Sequence, residues 1–513
     1  MENRGPILVI LSVLTALSIA FGQGSLPRMR ETRAVPRVWD DKALAELEVP
    51  LADPNHSPVH VSSDYYYKLP VRPVYKSYPV YPPGKEPPNY IEWLQQQDPE
   101  IAFDPAELKT ESDWIRAGEL VFDAPIRFAA LSDRTIRNPE LYKAVHIPVS
   151  RDGTVPFLRY VVRKKGVVEV GDASCGQCHT RVLPDGTLVK GAQGNYPGPH
   201  ITAFRLRQRV ASSGDNGAEI LAQNRRAVKL NFAAPWIHSD SDRADDFLGS
   251  IDEMIGSWEA MPPGVLPREG SSRRYPPQVP DLIGLKDRRY LDHTGLVIQR
   301  SIADVMRYSA LNQDAQFLSR YGDFIPAGEN FSQLQGSPIA QSRYSDEQLY
   351  ALALYLYSLQ PPENPNKPSE LSRRGEAVFQ REGCAGCHTP PLYTNNKLTP
   401  VSGFLIPEEH VGKYDVLPVV VGTDPSLSMG TRRGTGYYKV PSLKGVWYRG
   451  PFEHNGSVAT LEDWFNPERL RDDYVPTGFK GYGVTRRAVI GHNFGLGLSA
   501  EDRRALIAFL RTL

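Results

Sequence analysis

Cysteine is scarce in this chain, with four in 513 residues. All four fall in two copies of one string, C-x-x-C-H-T, at Cys175 to Thr180 and Cys384 to Thr389, so none is left for a structural disulfide. An excess of charge is also missing: Lys+Arg and Asp+Glu both number 59, and no long run of either sign occurs. A nucleic acid or an anionic membrane therefore has no electrostatic footing, and small or neutral partners fit better. Long apolar runs are absent apart from Ile7 to Phe21, which is shorter than the roughly 20 residues a spanning helix needs. With Arg4 ahead of it, and Ala20 and Gly22 ahead of a cut before Gln23, this run reads as a secretory signal peptide over 1–22. An uncleaved anchor is the alternative. No cysteine follows the run directly, which excludes a lipid anchor there. The body of the chain is thus expected to be periplasmic or secreted, with no membrane span in the mature chain.

Export decides how the two cysteine strings are read. A thioredoxin-type dithiol belongs at a helix start in a βαβ unit and needs no trailing histidine. A four-cysteine zinc site would have to join pairs more than two hundred positions apart, unlike the compact spacing of zinc ribbons. C-x-x-C-H is instead the attachment signature of c-type haem, in which both sulfurs form thioethers and the adjacent histidine ligates the iron. Two covalently bound haem c groups are therefore expected, held by Cys175, Cys178, Cys384 and Cys387, with His179 and His388 as iron ligands.

The surroundings of the two strings repeat as well. RAGELVF (Arg116 to Phe122) precedes the first and RRGEAVF (Arg373 to Phe379) the second, each as a short amphipathic helix, the first opened by the capping string Thr110 to Asp113. SDEQLYALALYLYSL (Ser345 to Leu359) and SAEDRRALIAFLRTL (Ser499 to Leu513) align without a gap as later helices, with an apolar stripe at Leu506, Phe509, Leu510 and Leu513. A third pair, VPDLIGLKDRRYLDHTG (Val279 to Gly295) and VPSLKGVWYRGPFEHNG (Val440 to Gly456), shares V-P-x-L-x-G at one end and H-x-G at the other. His293 and His454 are counterparts, and a shared structural task suits them better than iron ligation in one half.

The expected fold is mainly α, with two tandem cytochrome c-type domains carrying long loops, over 105–360 and 369–513, joined by the stiff linker QPPENPNKPSE. A Pro- and Tyr-rich segment over 23–104 precedes them, expected as extended backbone without ordinary helix or sheet. Roughly fifty residues separate the first helix from its motif. That insertion is expected to hold an Ω-like loop or a small β excursion such as FLRYVVRKKGVVEV, either shaping a pocket or merely elaborating the surface.

Together with KVPSLKGVWYRGPFEHNGSVATLEDWF (Lys439 to Phe465), these features resemble the bacterial di-haem cytochrome c peroxidase superfamily, which includes the tryptophan-tryptophylquinone-maturing di-haem enzymes and the di-haem rubber oxygenases. The resemblance covers about residues 105 to 513. In the peroxidases a methionine, and in the quinone-maturing enzymes a tyrosine, follows the TLE segment and ligates the second iron; here Thr460-Leu461-Glu462 runs into DWFNPERL, which lacks both. The resemblance instead points to His492, in GHNFG, as distal ligand of the second haem, with Met429 as fallback. It also makes His200, in GNYPGPHITAF, similar to the removable distal histidine of the peroxidases, a surface-loop histidine being the alternative. Some relatives hold a calcium ion between the domains.

An iron with both axial positions filled by protein moves electrons but cannot bind dioxygen or peroxide. His388 and His492 can close both faces of the second haem. The aligned segment of the first half, GSPIAQSRYSDE, has no histidine, methionine or cysteine, so the first iron is expected to be the more open one. Met306 is a candidate thioether ligand or a core residue, and Trp236 is an aromatic pocket or relay residue or simple packing. The expected function is an oxidoreductase whose first haem activates peroxide or dioxygen, aided by His200 and Trp236, while the second exchanges electrons with a small redox donor or cytochrome. Peroxidase-like activity is placed ahead of oxygenase activity. A di-haem electron carrier without substrate is the alternative from another class.

Overall fold

The computed structural model describes residues 34–131, 134–212, 217–237, 249–326 and 342–513. The signal-peptide expectation lies outside them. Two helix pairs of the same design organise the rest. The helix Glu111–Asp123 begins at a capping box, Thr110 with Asp113, which satisfies two amide donors that a helix start leaves orphaned. It buries Trp114, Ala117, Gly118, Val121 and Phe122, the spacing that keeps one face of a 3.6-residue helix turned inward. That face packs on the helix Asp346–Ser358. At the crossing a Cβ on Gly118 would collide with the Ala351 carbonyl and come within 2.7 Å of Tyr355 Cβ.

The second half repeats this. The helix Glu370–Arg381 crosses Ala500–Leu510, and a Cβ on Gly375 would collide with the Ala505 carbonyl and come within 2.8 Å of Phe509 Cβ. Gly118 and Gly375, Ala351 and Ala505, and Tyr355 and Phe509 occupy matching positions of the aligned segments. The sequence repeat is therefore one close helix crossing made twice.

Among the described residues helices outweigh strands, and the largest sheet has four. Its order is Ser77–Pro79, Arg159–Lys164, Val167–Asp172, Arg127–Ala130, all antiparallel. The central hairpin is the FLRYVVRKKGVVEV excursion. Phe157, Tyr160, Val162 and Val168 join Leu94, Leu141 and Ile136 in the core over it, and the last strand delivers the chain to Cys175.

The proline-rich lead departs from expectation. It contains the helices Asp41–Ala45, Ser63–Lys68 and Tyr90–Gln96 and the strand Pro58–His60, which pairs with Ser319–Tyr321. Composition misleads here for two reasons. Asp40 and Ser62 cap the first two helices, and Trp39 stacks on Tyr66 at 4.1 Å with both rings buried, so the segment brings its own apolar anchors. Its prolines sit where a missing N–H does no harm: Pro79 lies on the sheet's edge strand. Residues Pro36 to Leu513 form one compact unit. No described helix is long and apolar enough to cross a membrane.

Candidate functional site

Ser174 caps the single helical turn Cys175–Cys178, its hydroxyl accepting from the Gln177 amide at 3.0 Å. The turn ends on His179, whose amide donates to the Cys175 carbonyl at 2.9 Å. Cys384–Gly386 is a 3-10 turn, and the His388 amide likewise donates to the Cys384 carbonyl at 2.9 Å. None of the four cysteines is in a disulfide. Burial pushes the thiols of Cys178 and Cys384 up to about 11.

Each histidine is oriented from behind. His179 Nδ1 lies 3.0 Å from the Pro280 carbonyl, and His388 Nδ1 lies 3.2 Å from both the Pro441 and Tyr393 carbonyls. A carbonyl only accepts, so Nδ1 carries the proton in both rings and Nε2 keeps its lone pair. Burial supports the neutral form, pulling both histidines down to about 4. Pro280 and Pro441 are the matching prolines of V-P-x-L-x-G, which explains the third repeat. A matching arginine braces each proline loop: Arg288 bonds the Asp281 and Ile283 carbonyls, and Arg449 bonds the Ser442 carbonyl. Sequence reasoning missed both arginines, although their equal offset from the valine-proline pair was a signal.

His492 stands opposite His388, with ring centroids 6.3 Å apart at 51°. Two imidazoles bound to one metal at about 2.0–2.1 Å each would have centroids about 6 Å apart. Trp464 and Phe494 flank His492 edge-on at 5.1 and 5.4 Å. Its Nδ1 is buried without a hydrogen-bond partner. Trp464 belongs to the DWF segment, so this stretch encloses the ligand candidate from the later loop.

The remaining candidates are more dispersed. His200 is half-buried in the first turn of the helix Gly198–Ser212. The segment leading to it packs on the first motif, with the Gly191 amide donating to the His179 carbonyl at 2.7 Å and no room for a Cβ at Gly194 beside the Cys178 carbonyl. Trp236 stacks between His56, at 4.5 Å, and Tyr321, at 5.8 Å; its ring neighbours among the described residues include neither motif histidine. Met306 is fully buried in the helix Ile302–Leu318, whereas Met429 is partly exposed. His293 Nε2 lies 2.8 Å from the Gln278 carbonyl, and the Gln278 amide donates to the His454 carbonyl at 2.8 Å. One residue thus joins the two counterparts. Among the described residues no group of three or more His, Cys, Asp or Glu could hold a metal ion.

The profile of the RoxA-like, cytochrome c-like family matches residues 436–475, the stretch holding Pro441, Arg449, His454 and Trp464. The chain is 26% identical over 166 residues to cytochrome-c peroxidase IdrP1 of Denitromonas iodatirespirans, covering 28% of this chain and 40% of the relative. It is 27% identical over 143 residues to methylamine utilization protein MauG of Methylorubrum extorquens, covering 28% and 34%. Over these stretches the chain is similar to members of the bacterial di-haem cytochrome c peroxidase superfamily. The matches span well under half the length of these relatives. Among solved structures, hydrazine synthase of Kuenenia stuttgartiensis is similar at 15% identity and TM-score 0.29 over 57% of this chain and 87% of the other, too slight a likeness to bear on the site.

Covalent haem c is the cofactor of this superfamily. The residues present fit it: paired cysteines outside any disulfide beside a neutral histidine with a committed Nδ1 in both halves, and a buried, unpartnered imidazole nitrogen opposite the second.

Proposed function

We propose that this chain is an exported di-haem c-type oxidoreductase of peroxidase-like activity, built from two tandem c-type domains. In this reading its first centre reacts with peroxide or dioxygen, and its second passes electrons from a small redox donor or cytochrome. Cys175 and Cys178 would hold one haem and Cys384 and Cys387 the other, with His179 and His388 as proximal ligands. Bound haem supplies one-electron chemistry and, where one axial face is open, a place for a small oxidant. The Pro280 and Pro441 carbonyls orient the proximal rings and raise their basicity as donors, the usual effect of a second hydrogen bond on a ligating imidazole.

The observation that carries the reading is asymmetry on the distal side. His492 faces His388, whereas the matching stretch of the first half contains no histidine, methionine or cysteine. His200, reached through the segment packed on Cys178, is the candidate to move protons on the first distal side. Trp236 is assigned to a pocket wall or relay, an assignment its stack with His56 and Tyr321 leaves to experiment.

The test is electron paramagnetic resonance of the oxidised holoprotein. One high-spin signal that changes with peroxide or cyanide, beside one low-spin signal that does not, is the expected result; two indifferent low-spin signals would leave only an electron carrier. His492→Ala should convert the low-spin centre to high spin. An unchanged low-spin signal would remove His492 as ligand.

A further inference from the structure

Arg469 is among the most deeply buried large side chains of the protein, 1% exposed. No carboxylate among the described residues hydrogen-bonds it. Its guanidinium donates only to carbonyls: Nε to Trp464 at 2.9 Å, Nη1 to Val489 at 2.6 Å, and Nη2 to both Gly491 and His492 at 2.9 Å. The Val489 amide returns a bond to the Arg469 carbonyl at 2.6 Å. Burying a guanidinium is costly unless its donors are satisfied, and the partners here converge on two segments. One carries Trp464, which lies against the His492 ring; the other is the loop ending in His492.

The loop needs such a hold. His492 has φ 46°, a left-handed conformation that costs a non-glycine residue free energy unless its surroundings impose it. Gly491 ahead of it has φ 81°, and a Cβ there would run into the Gly422–Thr423 backbone. The His492 amide is fixed by the Val421 carbonyl at 2.8 Å, and Arg469 fixes its carbonyl. Both peptide groups around the residue are therefore pinned, and the ring position follows from them. His200, in the first half, lies on an ordinary helical turn without the positive φ of His492.

We infer that Arg469 is a positioning residue that locks His492 against His388, keeping the second centre closed to outside ligands while the first stays open. This rests on the proposed pairing of His388 and His492 at one iron. Its substrate-level consequence is division of labour: peroxide or a similar small oxidant is kept from the electron-transferring centre because its distal ligand cannot swing away.

The test uses full-length holoprotein with both haems confirmed by mass. In Arg469→Gln the low-spin signal of the second haem should give way in part to a high-spin one, and cyanide binding at that haem should accelerate at least tenfold. Arg469→Lys, which keeps the charge but reaches fewer carbonyls, should fall between, and it decides the matter if the glutamine variant does not accumulate. Added guanidinium should slow cyanide binding in Arg469→Gly. If the folded variants lose thermal stability yet keep a pure low-spin signal and the wild-type cyanide rate, Arg469 merely supports the fold and the inference fails. His492→Ala separates the two claims. A low-spin second haem in that variant sinks the pairing itself, whereas a high-spin one with unaltered Arg469 variants sinks the lock alone.

Discussion

Gly375→Ala tests the tightest contact in the second half. An alanine Cβ would meet the Ala505 carbonyl below any normal separation and lie 2.8 Å from Phe509 Cβ, so the helices Glu370–Arg381 and Ala500–Leu510 must part by about 1 Å. A gap of that size forfeits about a quarter to a half of the dispersion energy of facing atoms. The seam it opens is the core formed by Val378, Phe379, Leu506, Phe509 and Leu510. Overpacking of this kind costs about 1–3 kcal/mol, and collision with a backbone atom belongs at the upper end. Alanine returns about 1 kcal/mol through its better helix propensity. The net expectation is a loss of about 2 kcal/mol in urea unfolding of the holoprotein, read as a lower midpoint at unchanged slope. Gly118→Ala should behave alike, since its Cβ would meet Ala351 and Tyr355 in the same way. Gly497→Ala is the control, exposed and with nothing near its Cβ, and should be neutral. A Gly375→Ala protein as stable as wild type, or more so, would mean that propensity outweighs contact and that the crossing is loose.

Two further perturbations address buried charge between the motifs. Asp292 accepts from Arg433 Nη1 at 2.6 Å and Tyr308 OH at 2.9 Å, with both ionic side chains 9% exposed; Asp292→Asn should cost about 3–5 kcal/mol in urea unfolding, because it strands a buried guanidinium. His293 is pulled down to about 4, chiefly by burial, while the unfolded chain takes up this proton near 6.5. The unfolded state thus binds more protons between these values, and stability should fall as pH drops from about 6.5 to 4, by up to about 3 kcal/mol. His293→Gln should flatten that part of the stability profile; a profile equally steep in the variant would refute the assignment.

What could be read from the sequence depended on how local its cause is. The two C-x-x-C-H strings stand out because thioether tethering and ligation would need contiguous residues, and the helix pairs are legible because a packed face repeats every three or four positions. The same repeats revealed that Gly118 and Gly375 match, but not that each lets a carbonyl approach. The lead was misread because proline and tyrosine content says nothing of the caps at Asp40 and Ser62 or of Trp39 and Tyr66 meeting in a core. Arg469 left no trace at all. An arginine is by default a surface residue, and one whose hydrogen bonds go to carbonyls has no hydrogen-bonded carboxylate to betray it.

The repeated and unrepeated parts of the chain divide the chemistry between them. The glycine crossing, the proline carbonyl on the motif histidine and the bracing arginine occur in both halves, so they cannot be the source of any difference between the two centres. Differences must come from what occurs once. In the second half that is the strained loop presenting His492, held by Arg469 and enclosed by Trp464 and Phe494. In the first it is the β excursion and the segment running from Cys178 to His200, in which Arg181 donates to the Gln193 and Gly450 carbonyls. On the proposed reading, a common scaffold prepares two similar iron sites, and the distal loop decides which is sealed. Grafting the His492 loop without Arg469 into the first half should therefore fail to close it.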